Sequence, residues 1–434
     1  MQNYDIIVVG GGTSGCAAAY TAGKLGLKTL LIEKNIHLGG AITSGLVVPA
    51  MNAGENQINT DFFIDFICEM KKNGGQITYQ NNPGWFNPEL AKIVLERMLL
   101  NVGVELYYGT SINSVNIQNS RILNVSLIDN LLSVHNDTIY NDNKILLSSI
   151  GARYVIDATG DCKIAKLCNC KFINKNEEFQ AISLRFIMSG VNLNAFSRWL
   201  LDFDNDRNVT TVENIDGNIH LSTAYTWDND KVWALKPLFD DAVEKGILKD
   251  KDRNYFQIFT IAGMPSSVAF NCPRIVENAD IYNIKEVSSA LSYARESILR
   301  LSKFCKQYFP GFENAYVSNI ADQLGIRVSN RIKGKYIYTI EDLKSGKNFK
   351  NPVLRSNYPV DIHSAQKDNS TLESVQEYEL PVEALMSDDI ENLFVTGRCI
   401  SADFMAQGAL RIQPNCFSMG EGAVKYIAKL IRQS

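Results

Sequence analysis

The chain has 434 residues, of which 45% are hydrophobic and 21% charged. These proportions are typical of a globular protein and exclude a collagen-like or largely disordered one, and the length predicts two or three domains. The net charge of −4, without any dense basic segment, argues against a nucleic-acid partner, because phosphate backbones bind clustered positive charge.

The first elements follow the order of a βαβ unit. Residues 4–9 form a strand-sized apolar run, residues 10–15 are a glycine-rich turn, residues 16–25 are an alanine-rich helical stretch, and residues 28–32 are a second apolar run. A strand, turn, helix and strand within about 30 residues predict the start of a parallel, doubly wound sheet.

The pattern changes twice further along the chain. It predicts a helix over 89–101, a strand over 104–108, a β-meander over 111–147 and a strand over 153–158. A mixed, aromatic region follows, as far as a helix predicted over 285–308, and a strand over 392–396 and a helix over 418–431 close the chain. The polar segment 361–373 is the best candidate for a mobile loop.

We therefore expect an α/β fold in two domains. Residues 1–170 and 386–434 would form a discontinuous Rossmann-like domain, with a parallel sheet and a β-meander. Residues 171–385 would form a mixed α+β substrate domain inserted between these two pieces.

Cysteine and histidine usage predicts neither a metal site nor a disulfide framework. The nine cysteines are scattered without a CxxC pair, and none of the four histidines belongs to an HExxH motif. The apolar run at 6–9 is far shorter than the roughly 18 residues of a membrane span, and no basic segment precedes it. We therefore expect no signal peptide, and a cytoplasmic location.

The strongest motif is GxGxxG, formed by Gly10, Gly12 and Gly15 between a predicted strand and a predicted helix. In such a motif the first glycine permits the turn, the second lets a pyrophosphate approach the backbone, and the third lets helix and strand meet. Glu33 ends the second strand, where a carboxylate accepts hydrogen bonds from ribose hydroxyls. Together these features predict a dinucleotide site.

Three further segments favour FAD over NAD. A second glycine turn begins at Gly39 and Gly40, the sequence ATGD at 158–161 follows another strand, and Gly397 and Arg398 follow the last strand. These segments would lie along the ribityl chain and the flavin, for which an enzyme that binds NAD alone has no use.

These motifs resemble the FAD-dependent oxidoreductase family of the glutathione-reductase structural superfamily, related to the flavoproteins of fumarate reductase and succinate dehydrogenase. The resemblance covers nearly the whole chain and rests on VVGGGTSG, VIDATGD at 155–161, LGIRVSNRIKG at 324–334, YPVDIH at 358–363, GRCIS at 397–401 and GALRIQP at 408–414. It implies non-covalently bound FAD. The predicted FAD-binding residues are Gly10, Gly12, Thr13, Ser14, Gly15, Glu33, Lys34, Gly39, Gly40, Ala41, Ser44, Ile112, Thr159, Gly160, Asp161, Gly397, Arg398 and Ile412.

Two segments depart from the family pattern. The last helix contains GEGAVKYI in place of a run of small residues, which places Glu421 near the predicted flavin end. CKIAKLCNC follows ATGD, where acidic and small residues are commoner.

Arginines are the main candidates for contact with substrate. Arg411 in GALRI is similar to the arginine of GANRL in fumarate reductases, which holds a substrate carboxylate beside the flavin. Arg327 and Arg331 are candidates of the same kind, with ion pairs between domains as an equal alternative, and Arg274 is a weaker one. A guanidinium binds a carboxylate through two parallel hydrogen bonds.

His363 and Tyr358 are candidates for proton transfer, because histidine titrates near neutral pH and tyrosine carries a hydroxyl proton. The alternatives are a structural histidine bonded to Asp361 or to backbone, and a tyrosine that packs. Cys399 is interpreted as a packing residue, with Cys416 as a second thiol if the fold brings the two together.

The chain has one dinucleotide fingerprint, so no dedicated NAD(P)H domain is expected. The sequence predicts an FAD-dependent oxidoreductase that transfers hydride between flavin N5 and a small polar organic substrate, such as one that bears a carboxylate. A monooxygenase or oxidase, and a non-catalytic FAD-binding component of a complex, stay as alternatives. The electron donor or acceptor and the formation of a homo-oligomer are left open.

Overall fold

The computed structural model describes residues 2–130, 146–173, 179–225, 232–275, 280–363 and 371–433. The strands are β1 (Asn3–Val9), β2 (Thr29–Ile32), β3 (Gln76–Tyr79), β4 (Asn82–Phe86), β5 (Glu105–Tyr107), β6 (Thr110–Gln118), β7 (Arg121–Asp129), β8 (Leu146–Asp157), β9 (Ile182–Ser183), β10 (Phe186–Ser189), β11 (Thr210–Ile215), β12 (Asn218–Ala224), β13 (Gln257–Thr260), β14 (Ser267–Phe270), β15 (Arg274–Ile275), β16 (Tyr316–Ile320), β17 (Pro352–Ser356), β18 (Val360–Ile362), β19 (Thr371–Glu373), β20 (Tyr378–Pro381) and β21 (Leu393–Val395). The helices are α1 (Thr13–Lys24), α2 (Asp61–Lys72), α3 (Pro88–Asn101), α4 (Lys163–Leu167), α5 (Leu193–Phe203), α6 (Lys236–Glu244), α7 (Ile284–Tyr308), α8 (Ile340–Lys344), α9 (Phe404–Leu410) and α10 (Gln413–Gln433).

The first sheet has seven strands in the order β5-β2-β1-β8-β7-β6, with β21 paired to β8. Strands β5, β2, β1, β8 and β21 run parallel, whereas β6 and β7 are antiparallel and continue the sheet on one side. Ile6, Ile7 and Val8 of β1 are all fully buried, as expected for a parallel strand covered on both faces. The predicted βαβ unit and the described strands of the meander are confirmed.

The second sheet has six antiparallel strands in the order β11-β12-β13-β14-β10-β16. Its strands all lie between residues 186 and 320, within the predicted substrate domain. Phe186 and Phe270 stack between neighbouring strands with ring centroids 4.1 Å apart. The division into two domains stays a prediction.

The C-terminal helix α10 packs against α1. A Cβ on Gly420 would lie 2.1 Å from the carbonyl oxygen of Ser14, so the close contact requires a glycine there. The helix begins at Gln413, five residues before its predicted start at 418. Pro414 is accommodated because the first turn of a helix does not need its N–H.

The loop predicted over 361–373 is wrong at both ends. Strands β18 and β19 pair antiparallel there, with Asp361 opposite Leu372, and Val360 and Ile362 are buried. Two alternating apolar residues are too short a signal to stand out in a polar segment. Residues 364–370 of that loop and 131–145 of the predicted meander lie outside the described residues.

Candidate functional site

A cavity of about 830 Å³ lies between the two sheets. One end is lined by the loops that follow β1, β2 and β8, and the other by residues of β11, β12 and β13. Ligands of parallel α/β sheets bind at the carboxyl ends of the strands, so the first end is where a nucleotide is expected.

The glycine turn meets the steric demands of its motif. Gly10 has φ +100°, and a Cβ there would lie 2.6 Å from the carbonyl oxygen of Ala158. A Cβ on Gly15 would lie 1.8 Å from the carbonyl oxygen of Gly10, so this residue lets α1 meet β1. A Cβ on Gly12, by contrast, meets no atom within 4 Å, and Gly12 lines the cavity. The backbone is therefore open to a ligand at the second glycine.

The N-terminus of α1 opens into the same space. Its N-cap is Gly12, which provides no side-chain cap, and Thr13 and Ser14 line the cavity. The first N–H groups of a helix have no partner within the helix and bind anions such as phosphates.

Glu33 lies at the carboxyl end of β2 and lines the cavity. Its carboxylate accepts hydrogen bonds from the backbone N–H of Gly11 at 2.6 Å and of Asn35 at 2.9 Å. These bonds hold the acid beside the glycine turn, in the position predicted for contact with a ribose.

The second glycine turn contains an unused hydroxyl. Gly39 donates its N–H to the carbonyl oxygen of Gly11 at 2.8 Å and thereby ties the two turns together. Ser44 is buried, and its Oγ makes no hydrogen bond with the described part of the protein. A buried hydroxyl without a hydrogen-bond partner destabilises the folded protein, so such a group calls for a partner from outside the described residues.

Arg398 is largely committed to protein partners. It donates to the carbonyl oxygens of Gly160 and Ile326, both at 2.7 Å, and pairs with Asp161 at 2.6 Å. Burial opposes ionisation of Asp161, but the charge of Arg398 outweighs it and lowers the pKa of this carboxyl below its ordinary value. Arg398 thus positions the ATGD loop.

Four arginines from distant parts of the chain lie together at the other side of the glycine turns. Three of them, Arg185, Arg327 and Arg411, line the cavity, and Arg274 adjoins it. Burial and the charges of Arg274 and Arg411 hold the pKa of Arg327 well below its ordinary value. Burial lowers the pKa of Arg185 to about 10, so this guanidinium stays charged at neutral pH. The cluster is strongly electropositive.

Asp361 provides the counter-charge for Arg411, whose Nη2 lies 3.5 Å from Asp361 Oδ2 and donates to its carbonyl oxygen at 2.9 Å. His363 Nε2 lies 3.1 Å from the same carboxylate oxygen, and the Tyr358 hydroxyl donates to it at 3.4 Å. Burial and the charge of Asp361 raise the pKa of Tyr358, so its hydroxyl stays protonated.

Most of the predicted site residues line this one cavity. Arg327, Arg411, His363 and Tyr358 all do, and so do the predicted FAD-binding residues apart from Gly15, Gly39 and Ser44. Gly15 and Gly39 instead shape the turns, and Ser44 lies behind the second turn, where its carbonyl oxygen accepts from the backbone N–H of Gln323.

Two residues lie elsewhere than expected. Glu421 is fully buried away from the cavity lining, where it accepts from the backbone N–H of Phe62 at 2.9 Å and pairs with Lys425 at 2.6 Å. It does not line the cavity in which FAD is expected, because its carboxylate accepts a hydrogen bond at the start of α2. Arg331 is buried and donates to the carbonyl oxygen of Ala402, and it is not among the residues that line the cavity.

The cysteines near the site are buried thiols. Cys399 is buried with Cys162, whose Sγ lies 3.4 Å from the Cys399 carbonyl oxygen. Cys416 lines the cavity, and burial raises its pKa to about 12, so it is protonated at neutral pH.

Sequence reasoning missed Arg185 and the residues beside it in the cavity, Tyr255, Gln257 and Asn271. Arg185 did leave a signal, because it is the single charge in the apolar run 184–188. A lone buried charge in such a run is costly unless it has hydrogen-bonding or oppositely charged partners.

Residues 5–433 match the family described as FAD dependent oxidoreductase, and the chain belongs to this family. FAD is its cofactor. Among the described residues, no helix is long and apolar enough to cross a membrane.

Individual relatives are distant. The thiamine thiazole synthase of Saccharolobus islandicus (strain L.S.2.15 / Lassen #1) is 27% identical over 161 residues, 36% of this chain and 54% of that protein. This chain thus spans about half the length of that relative. The digeranylgeranylglycerophospholipid reductase of Thermoplasma acidophilum is 51% identical over 45 residues, 10% of this chain and 11% of that one.

The solved structure of a geranylgeranyl bacteriochlorophyll reductase-like protein from Thermoplasma acidophilum has a TM-score of 0.49 at 14% identity, and the match covers 100% of this chain and 80% of that chain. The flavin-dependent brominase Bmp2 has a TM-score of 0.47 at 13% identity, with the same coverage.

The residues at the nucleotide end fit FAD. The open space at Gly12 and the uncapped N-terminus of α1 are features that a dinucleotide would satisfy. When bound there, FAD supplies the capacity to take up or release two electrons.

Proposed function

We propose that the protein transfers a hydride between an organic acid and the flavin N5 of FAD. The observation that carries this proposal is the convergence of Arg185, Arg327 and Arg411 on the cavity that also contains the glycine turns. Burying guanidinium groups is costly unless anions accompany them. Neither Arg185 nor Arg327 has a carboxylate within 4 Å among the described residues, so an acidic substrate suits the site.

The chain's own groups would bind and orient the acid. Arg411 is held by Asp361 and Arg327 by the carbonyl oxygen of Ala181, so both guanidinium groups are positioned before a ligand arrives. Such preorganisation avoids the cost of ordering long side chains at the moment of binding.

Tyr358 would hold a proton at the edge of the site. Its hydroxyl faces Asp361 and lines the cavity. Because its pKa is raised, the hydroxyl stays protonated at neutral pH, and its single proton would turn from Asp361 to the substrate on binding. His363, engaged at both ring nitrogens, would position the neighbouring charged groups.

The test is anaerobic reduction of the FAD-loaded protein by a panel of organic acids, followed through the visible flavin absorbance. We expect bleaching by one class of acids. Replacement of Arg411 by Gln should lower kcat/KM by about 10- to 100-fold, which corresponds to the loss of one hydrogen bond to a charged group. Arg198→Gln is the matched control, because Arg198 is exposed and bonds to the carbonyl oxygen of Asn194.

Other outcomes would assign the protein to another class. Reduced protein that reoxidises rapidly in air with oxygen transfer to a substrate would make it a monooxygenase or oxidase. Tightly bound FAD that responds to no acid would favour a non-catalytic role.

A further inference from the structure

Beyond the arginines, the cavity continues along one wall of the second sheet. Tyr255, Gln257 and Phe259 line it, whereas the intervening Phe256 and Ile258 are fully buried in the core. This alternation is that of an extended chain, which rises about 3.3 Å per residue. The wall from Tyr255 to Phe259 is therefore about 13 Å long.

On this wall, an aromatic ring lies beside two residues that carry hydroxyl groups. Ser222 of β12 is opposite Thr211 of β11 on one side and Phe259 of β13 on the other. All three line the cavity. Cross-strand partners share one face of a sheet, so the two hydroxyl-bearing residues form one row with the Phe259 ring.

The β3–β4 hairpin packs beside this wall. Tyr79 and Trp85 line the cavity there, with ring centroids 4.8 Å apart, and Trp85 meets Phe259 edge to face at 5.6 Å. Gln80 and Asn82 of the hairpin add amide groups to the cavity lining. Aromatic edges and faces with interspersed polar groups favour a ring-bearing ligand over a short aliphatic one.

We call the part of the cavity lined by these residues of the second sheet and the β3–β4 hairpin the chamber. Arg185 lies where the chamber joins the arginine cluster. Its Nη1 donates to the carbonyl oxygens of Leu46 at 3.2 Å and Val48 at 3.3 Å, which fixes the guanidinium. Its Nε and Nη2 make no hydrogen bond with the described residues, although Arg185 lines the cavity. The group thus presents unused donors to an anion.

A buried acceptor lies between the charged and the aromatic parts. Asn271 donates through Nδ2 to Gln257 Oε1 at 2.7 Å, and its own Oδ1 is buried without a partner among the described residues. A ligand that carries an O–H or N–H group would satisfy this atom.

We propose that the substrate is an elongated acid with a polar, ring-bearing body. Its acidic group would bind among Arg185, Arg327 and Arg411, and its ring would pack against the aromatic surface that Phe259 and Trp85 form together. A four-carbon dicarboxylate would leave the 13 Å wall uncovered, since the predicted FAD-binding residues lie at the other end of the cavity. This inference rests on the proposed function and names its substrate class.

The probes are 3-(4-hydroxyphenyl)propionate, propionate and succinate, titrated calorimetrically into the oxidised, FAD-loaded protein. The hydroxyphenyl acid should bind at least about tenfold more tightly than either short acid, because it buries a ring in addition to its carboxylate. Succinate or propionate binding as tightly as the ring-bearing acid would overturn the inference.

Two variants locate the binding. Arg185→Gln should weaken the hydroxyphenyl acid at least about tenfold but leave its neutral amide, 3-(4-hydroxyphenyl)propanamide, unchanged. Trp85→Phe keeps a ring at this position and should abolish the ligand-induced change in tryptophan fluorescence while preserving the affinity. Equal loss of acid and amide, or an unchanged fluorescence response in Trp85→Phe, would refute the assigned position.

Failure of the two proposals is distinguishable. If ring-bearing acids bind tightly but no acid reduces the flavin, the proposed ligand class is supported and the hydride-transfer proposal is contradicted. If short acids reduce the flavin and also bind more tightly than the ring-bearing acid, the hydride-transfer proposal is supported and the proposed ligand class is contradicted.

Discussion

The Nη2 atom of Arg274 lies 2.6 Å from Nδ1 of His363. A guanidinium has only donors, so Nδ1 must accept this hydrogen bond and the ring proton must reside on Nε2. Nε2 in turn lies 3.1 Å from Asp361 Oδ2. His363 is therefore neutral, and it links Arg274 to the carboxylate that pairs with Arg411.

This arrangement makes stability depend on pH. Burial and the charge of Arg327 hold the pKa of His363 well below its ordinary value. The unfolded chain takes up a proton below about pH 6.5, whereas the folded protein does not, so the free energy of unfolding falls as the pH drops, by at most about 1.4 kcal/mol per pH unit. Denaturant unfolding between about pH 5 and 7.5 should show a shallower dependence for His363→Asn than for the wild type. Identical slopes would contradict the neutral state of His363.

Asp361 should stabilise the arginine cluster. Burial opposes its ionisation, but the hydrogen bond with His363 and the charge of Arg411 outweigh burial and hold its pKa well below the ordinary value. Asp361→Asn should therefore lower the free energy of unfolding at neutral pH by about 3 kcal/mol, and added sulfate should restore part of it. Asp388→Asn, which removes an exposed pair with Lys333, should cost less than about 1 kcal/mol. Equal effects of the two substitutions would argue against this role.

The glycine turn offers a matched pair of substitutions. Gly12→Ala places a methyl group in open space, so the apoprotein should keep its stability within about 1 kcal/mol while FAD binds at least about tenfold more weakly. Gly15→Ala places the methyl group 1.8 Å from the Gly10 carbonyl oxygen and should destabilise the protein by about 3 kcal/mol or prevent folding. Thermal unfolding and retained flavin measure both effects. Unchanged FAD affinity in Gly12→Ala would place the pyrophosphate elsewhere.

Glu421 should matter for stability and not for the cofactor. Glu421→Gln weakens the bond to the Phe62 N–H and removes the ion pair with Lys425, and we expect a loss of about 1–3 kcal/mol in the free energy of unfolding. FAD affinity should stay unchanged. Glu391→Gln, in an exposed pair with Arg121, is the control and should cost less than about 1 kcal/mol. A selective loss of FAD binding in Glu421→Gln would revive the earlier expectation that this residue lies near the flavin.

Helix boundaries were predicted best where local hydrogen bonding sets them. The long helix α7 begins one residue before its predicted start, because Asn283 accepts from the Lys285 N–H, and it ends at Tyr308, just before Pro310. The hairpin of β18 and β19 escaped prediction, because its pairing joins short segments whose pattern is weak.

The glycine turn and the acid at the end of β2, where a nucleotide is expected, could be predicted from the sequence alone. Gly10, Gly12, Gly15 and Glu33 act through turn conformation, close backbone approach and contacts between neighbouring elements, and these leave a readable spacing in the chain. The same is true of the parallel strand β1, whose unbroken apolar run reflects burial on both faces.

Only the tertiary structure showed which residues lie together at the other end of the cavity. Arg185, Arg274, Arg327 and Arg411 have no common spacing, and nothing in the sequence indicates that the four lie together. What unites them is the packing of the second sheet and its loops against the loops of the first, which depends on contacts between residues far apart in the chain. The sequence therefore predicted which residues bind FAD, and the fold was needed to show which charges meet in the same cavity.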